Sequence, residues 1–207
     1  MLDVHFVILG AAIGAVGQAL YVRDTVRGDT QPNRVTWLLW AIAPLLAFAV
    51  EIHSGVGLRS LMTFMVGFGP LCVFVASFVN PAAFWAITRL DYVCGALSVL
   101  GTAGWLVTRH GMVALVAALA ADGLAAVPTV VKAWRDPRSE SANVYLGGVA
   151  NAGITLLTVD RVTSAVVAFP IYILVVAMLL VVLVAGRVGP RLRAGRAVGA
   201  PRPDRAW

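Results

Sequence analysis

Charged side chains, cysteines and histidines are all scarce in this chain. Of its 207 residues, 13% are charged and 60% are apolar, whereas charged residues make up about 25% of an ordinary soluble domain. The two cysteines, Cys72 and Cys94, both fall inside apolar runs, which argues against a disulfide framework and against a metal pair. These shortages exclude a soluble domain and predict an integral membrane protein.

Groups that could carry catalysis are equally few. The three histidines, His5, His53 and His110, fall at or beyond the ends of apolar runs, away from any nucleophile that a hydrolase would need. The single lysine, Lys132, lies at the end of such a run, where a mid-membrane Schiff base to retinal cannot form. We therefore expect a protein that is not an enzyme and that uses no cofactor and no metal.

Long apolar runs dominate what is present. Runs of about 17 to 25 residues are long enough to cross a hydrocarbon core of about 30 Å as helices. Between the charged residues the sequence predicts seven such spans, at residues 4–22, 35–52, 58–79, 91–108, 111–132, 143–159 and 164–186.

Basic residues are distributed unevenly between the connections of these spans. Thirteen of the sixteen lie on one side and three on the other, and an excess of basic residues marks the cytoplasmic face. The pattern predicts a multi-pass protein of the plasma membrane with its N-terminus outside and its C-terminus in the cytoplasm. The last segment, 187–207, is predicted to be a disordered basic tail that contacts anionic headgroups and not nucleic acid.

One acidic residue stands in the middle of an apolar run. Asp122 lies about midway between His110 and Lys132, and a carboxylate at such a depth costs roughly 2.5–3.5 kcal/mol on insertion scales. It must face the interior of the bundle, a partner or water. A role in proton handling or ligand binding and a protonated acid bonded to a neighbouring helix are the two interpretations.

Other polar or aromatic residues in the spans are candidates for the same cavity. Asn151 and Thr155 share one face of the sixth span with Gly147, and we expect Asn151 to contact a substrate. Gln18, beside a face of small residues in the first span, either lines a cavity or bonds a neighbouring helix. Trp40 is either an interfacial anchor or a pocket wall.

Four spans contain an internal proline, which removes a backbone donor and loosens a helix. Pro44, Pro70, Pro128 and Pro170 are therefore candidate hinges, and the segment 67–70, which reads Gly-Phe-Gly-Pro, is expected to break or bend the third span. A weak internal echo relates Tyr21-Val22-Arg23, followed by Thr30-Gln31-Pro32, to Val130-Val131-Lys132, followed by Ser139-Glu140-Ser141, 109 residues later. The echo indicates a duplicated unit.

The stretch Pro128-Thr129-Val130-Val131-Lys132-Ala133-Trp134-Arg135, together with the layout of spans, resembles the PQ-loop superfamily that includes the SWEET sugar transporters. In the first repeat the motif proline is replaced by Ala19. The resemblance implies an all-α membrane protein with seven transmembrane helices, in which two parallel triple-helix bundles are joined by a linker helix. The expected units are 1–80 as the first bundle, 81–108 as an interfacial segment with linker helix 4, 109–186 as the second bundle, and the tail 187–207.

The function implied by this resemblance is transport of a small solute by alternating access between the bundles. The expected substrate-binding residues are Asp122, Asn151, Thr155, Trp40, Gln18 and Tyr172, with Asp122 coupling transport to protons. SWEET proteins place an asparagine on the third helix of each bundle, where this chain offers Thr63 and Tyr172 instead, so a sugar is not assumed. An ion channel and a non-transporting membrane scaffold of the same fold are the alternatives, and a homo-oligomer is a further expected assembly.

Overall fold

The computed structural model describes residues 2–53, 57–107, 111–159 and 162–198. Within these ranges the secondary structure consists of eight α-helices and three single 3-10 turns. The helices are α1 (Phe6–Arg27), α2 (Arg34–His53), α3 (Ser60–Ala76), α4 (Arg89–Val107), α5 (Gly111–Arg135), α6 (Ala142–Leu157), α7 (Ser164–Gly186) and α8 (Val188–Val198). The all-helical prediction is confirmed, and α1 to α7 coincide with the seven apolar runs.

Three of the helices are long and apolar enough to cross a membrane over the ranges Phe6–Arg27, Val116–Arg135 and Val166–Gly186. Shorter apolar stretches occupy Arg34–Ala49, Ser60–Ala76 and Ala142–Leu157. Large apolar side chains on several helices are exposed, among them Val16, Leu100 and Val175. A soluble monomer rarely exposes so much apolar surface, so the chain has the character of a multi-pass membrane protein.

The helix contacts follow one pattern in both halves of the chain. Helix α3 packs against both α1 and α2, and α7 packs against both α5 and α6. Between the halves, α1 packs on α6 and α2 packs on α5, while α4 lies against α5 and α2. The contacts of α1 to α3 thus have counterparts among those of α5 to α7.

Small residues bring α1 and α6 close together. A Cβ added to Gly17 would lie 2.7 Å from the backbone oxygen of Asn143, and one added to Gly147 would lie 3.3 Å from the Cα atoms of both Gly14 and Gly17. The two backbones therefore touch directly, as small residues allow in membrane helices. The glycine face of the first helix is a packing surface.

All four internal prolines lie inside helices that continue through them. Residues 67–70 do not break the third span, and a bend there stays a prediction. Gly67 lets α3 approach Ala41 and Leu45 of α2 closely. The use of the prolines as hinges stays a prediction.

Side-chain donors from neighbouring helices bond the backbone of α5 just before Pro128. Ser98 Oγ donates to the carbonyl of Ala121 at 2.5 Å, and Thr36 Oγ1 donates to the carbonyl of Ala125 at 2.8 Å. Proline cannot donate to the preceding turn, and the two bonded carbonyls lie on either side of Leu124, whose carbonyl would accept from residue 128 in a regular helix. Helices α4 and α2 thus hold α5 on both sides of Asp122.

The predicted disorder of 187–207 is wrong for the part of this segment that forms α8. Arg193 Nη2 donates to the carbonyls of Trp134, at 3.3 Å, and Arg135, at 2.7 Å, which are unpaired at the C-terminus of α5. Gly189 allows the approach, since a Cβ there would lie 1.8 Å from the Trp134 oxygen. Residues 199–207 lie outside the described residues.

Candidate functional site: a cavity between the helices

A cavity of about 100 Å³ lies in the interior of the helix bundle. It is bounded by residues from α1, α2, α3, α5, α6 and α7, and α4 does not contribute to the lining. The polar and aromatic residues that line it are Gln18, Trp37, Trp40, Asp122, Tyr145 and Asn151. Six helices from both halves of the chain therefore line one cavity.

Asp122 is the acidic residue of this lining and is 8% exposed. Tyr172 of α7 donates its hydroxyl hydrogen to Asp122 Oδ2 at 2.6 Å. Trp40 of α2 donates its indole N–H to the backbone oxygen of Asp122 at 3.4 Å. The acid is thus bonded to a neighbouring helix and also lines the cavity, and its role in proton handling or ligand binding stays a prediction.

Two amide side chains border the cavity from the α1 and α6 sides. Gln18 packs on α3, where a Cβ added to Gly69 would lie 2.3 Å from its Cδ atom. Asn151 lies against Gly10 and Gly14 in the contact between α1 and α6. The buried side-chain oxygens Gln18 Oε1 and Asn151 Oδ1 have no hydrogen-bond partner, which is unusual for buried polar atoms.

The structure brings most of the predicted binding residues together. Asp122, Asn151, Trp40 and Gln18 line the cavity, and Tyr172 reaches it through its bond to Asp122. Thr155 is outside the lining, and its hydroxyl donates to the carbonyl of Asn151 at 2.8 Å within α6. Such a bond to the preceding turn is the usual state of threonine in a helix.

The candidate hinges are placed differently around this space. Pro70 lines the cavity on α3, whereas Pro44, Pro128 and Pro170 lie in their helices outside the lining.

A buried charged cluster lies at the end of the bundle where α1 ends and α6 begins. We call this cluster the lysine network; it consists of Tyr21, Gln31, Lys132, Glu140 and Tyr145. Lys132 Nζ lies 2.5 Å from Glu140 Oε1, with side-chain exposures of 1% and 0%, and it also donates to the carbonyl of Gln31. Tyr21 and Tyr145 each donate to Glu140 Oε2 at 2.7 Å. Since Tyr145 also lines the cavity, the network forms its boundary on that side.

Neighbouring aromatic rings shield this network. The ring centroids of Tyr21 and Trp37 are 4.8 Å apart, and those of Trp37 and Trp40 are 5.5 Å apart. Lys132 Nζ lies 5.0 Å from the centre of the Trp85 ring, within the range of a cation–π interaction. The two tryptophans of α2 thus connect the lysine network to the Asp122 side of the cavity.

Sequence reasoning missed Glu140 and Tyr145 as functional candidates. The available signal was Lys132 itself, because a buried ammonium requires a counter-charge. Two carboxylates follow Lys132 in the connection to α6, and Glu140 is the one that does not directly follow the end of α5. Its burial, however, depends on the fold of the 136–141 connection.

Comparison with protein families, with curated proteins and with solved structures finds no match for this chain.

Proposed function

We propose that this chain is a membrane transporter of a small solute, built from two triple-helix bundles that alternate in opening the central cavity to either side. The observation that carries the proposal is the cavity itself, which is lined by six helices from both halves and by polar groups in an apolar protein. Binding sites between repeats near the bilayer midplane are a recurring arrangement in transporters.

The helix contacts support the bundle assignment. In each proposed bundle the third helix, α3 or α7, packs against the other two, and the halves meet through α1 with α6 and α2 with α5. Helix α4 joins the halves and stays outside the cavity lining. In this proposal all seven helices cross the membrane, with the N-terminus outside.

The lysine network supports a cavity that is closed at the cytoplasmic end. It ties α1 and the connection after it to α5 and the connection before α6 through Lys132 and Glu140. These are elements of different bundles, so opening at this end has to separate them. The network is therefore the proposed inner gate.

Proton coupling is assigned to Asp122. The titratable side chain bonded to it is Tyr172, on α7, and α2 contributes the neutral indole of Trp40. An acid in this position can bind a proton in one orientation of the carrier and release it in the other.

The test is transport by purified protein in liposomes, with and without a pH gradient. We expect saturable uptake of a solute first identified by its stabilisation of the protein, and loss of the pH dependence in Asp122→Asn. Asp29→Asn makes the same chemical change on an exposed connection and serves as the control.

Three results would contradict parts of this proposal. If uptake by the Asp122→Asn variant keeps its pH dependence, Asp122 is not the residue that couples transport to protons. Single-channel conductance steps identify a channel, and ligand stabilisation without flux identifies a non-transporting scaffold.

A further inference from the structure

The hydrogen-bonding groups around the cavity are unevenly matched. The hydroxyl donors are engaged: Tyr145 donates to Glu140, and Tyr172 donates to Asp122. The amide oxygens of Gln18 and Asn151 are buried without a donor. The indole N–H of Trp37, another lining residue, is likewise buried without an acceptor, so the unpaired groups include a donor as well as acceptors.

The ionisable side chain of the lining is an acid, so any formal charge there is negative. Asp122 is this acid, and the described lining residues include no Lys, Arg or His. Lys132, the ammonium at the cavity's end, is paired with Glu140. A carboxylate or phosphate group would thus enter a space that offers it no cation and one acid.

Aromatic rings complete the lining. Trp37, Trp40 and Tyr145 all face the cavity, and the two indole rings meet edge to face at 5.5 Å. Cations are attracted to the faces of such rings within about 6 Å, and the attraction grows where water is excluded. The bond from Trp40 to the Asp122 backbone keeps one indole beside the acid.

We propose that the cavity binds a small primary ammonium ion, whose N–H groups are accepted by the Asp122 carboxylate while the tryptophans cover its alkyl part. The inference rests on the proposed transport site but concerns its chemistry. The cavity of about 100 Å³ has room for a solute of a few non-hydrogen atoms.

The test uses three probes of matched size that differ in charge: 2-aminoethanol, ethylene glycol and glycolate. Their binding to the purified full chain is measured by thermal shift and by tryptophan fluorescence at constant pH and ionic strength. We expect 2-aminoethanol to bind at least about tenfold more tightly than the neutral glycol, because hydrogen bonds to charged groups are roughly twice as strong as neutral ones. Glycolate is expected not to bind.

Substitutions of cavity residues test whether the preference for the ammonium probe arises in the cavity. Asp122→Asn should remove the preference for the ammonium probe, Asp122→Glu should retain it, and Asp29→Asn should not change it. If Asp122→Asn does not fold, Trp40→Leu provides the second test, read by thermal shift, with an expected loss of affinity for 2-aminoethanol.

The outcomes separate this inference from the transport proposal. Equal binding of 2-aminoethanol and ethylene glycol, or tighter binding of glycolate, overturns the ammonium site even when the protein transports another solute. Binding of 2-aminoethanol that depends on Asp122, in a protein that shows no flux, supports the site and contradicts transport. Saturable uptake of 2-aminoethanol that is lost in Asp122→Asn supports both.

Discussion

Lys132 is the only lysine in the chain, and it is almost completely buried. Its ammonium group is held by the Glu140 carboxylate and by the Gln31 carbonyl, and the second oxygen of Glu140 accepts from two tyrosines. Burying both charges is expensive, so the pair persists only because nearly every polar atom around it is bonded. Removing one partner leaves the other charge buried without a counter-charge, which destabilises the folded state strongly.

We predict that Lys132→Met destabilises the protein by about 3–5 kcal/mol, because it leaves the Glu140 carboxylate buried without a counter-charge. The double variant Lys132→Met with Glu140→Gln should recover much of this loss, since a neutral amide can still accept from the tyrosines. Unfolding of the purified variants, followed by intrinsic fluorescence, measures the difference.

Arg135→Met is the matched control for this pair. Arg135 is an exposed base near Lys132 on α5, and substitutions at such surface positions usually change stability by less than about 0.5 kcal/mol. A loss in Arg135→Met as large as that in Lys132→Met would contradict the prediction.

At the residue scale, sequence reasoning located the acid and the amide of the cavity but missed the lysine network. Asp122 and Asn151 lie within apolar runs, where the cost of a polar side chain is visible from composition alone. Glu140 lies in a short connection that reads as an ordinary polar turn. Its burial depends on contact with Tyr21, which is 119 residues away, and no local pattern encodes such a contact.

At the scale of elements, the contact between α1 and α6 depends on glycine. We predict that Gly17→Ala destabilises the protein by about 1–3 kcal/mol, the usual cost of overpacking, because its Cβ would lie 2.7 Å from the Asn143 oxygen. Thermal unfolding of the variant in detergent measures this.

Gly153→Ala is the control on α6, since a Cβ there meets no atom within 4 Å. It should be neutral or slightly stabilising, because alanine favours helix over glycine. Equal effects of the two substitutions would show that the close approach of α1 and α6 does not limit stability.

Helix α5 contains Pro128, and side chains of α2 and α4 donate hydrogen bonds to its backbone just before this proline. We predict that Pro128→Ala raises the melting temperature, because the new N–H restores a helix bond that proline cannot make, and lowers the rate of transport if the proline is a hinge. Both quantities are measured on the same preparation, by thermal shift and by initial uptake into liposomes.

Pro190→Ala is the control for Pro128→Ala. Pro190 lies in the first turn of α8, where a backbone N–H has no partner within the helix. It should change neither quantity. A Pro128→Ala variant with higher stability and an unchanged transport rate would remove Pro128 from the list of hinges.

The helices themselves were predictable, and the tail was not. The apolar runs between charged residues identify α1 to α7, because a long apolar segment that is buried has to pair its own backbone groups, as a helix does. Helix α8 contains Gly189, Pro190 and Gly195, which disfavour a helix in isolation. It is docked through the bonds of Arg193 to α5, and a tertiary contact of this kind overrides the local preference.

For the whole molecule, the distribution of basic residues predicts which connections face the cytoplasm. With Cys72 and Cys94 replaced by alanine, single cysteines at Asp29 and Arg138 should be protected from a membrane-impermeant maleimide in intact cells. Cysteines at Leu58 and Val162 should be labelled, because these exposed positions lie between α2 and α3 and between α6 and α7, at helix ends predicted to be outside.

Permeabilised cells provide the control for this experiment, since all four cysteines should then react. Labelling of 29 and 138 together, with protection of 58 and 162, would reverse the orientation and place the lysine network at the outer end. Labelling of 29 without 138 would contradict the parallel arrangement of the two halves.

The position of Lys132 makes the two halves of the chain different from each other. Its two oxygen partners, Gln31 and Glu140, are 109 residues apart, the same interval that separates the two related segments of the sequence. One cation therefore satisfies corresponding loops of both halves. Two copies of the second half, assembled as a symmetric pair, would bring two ammonium groups to this point, and two copies of the first half would bring none. The present chain is thus committed to asymmetry, and neither half is expected to replace the other.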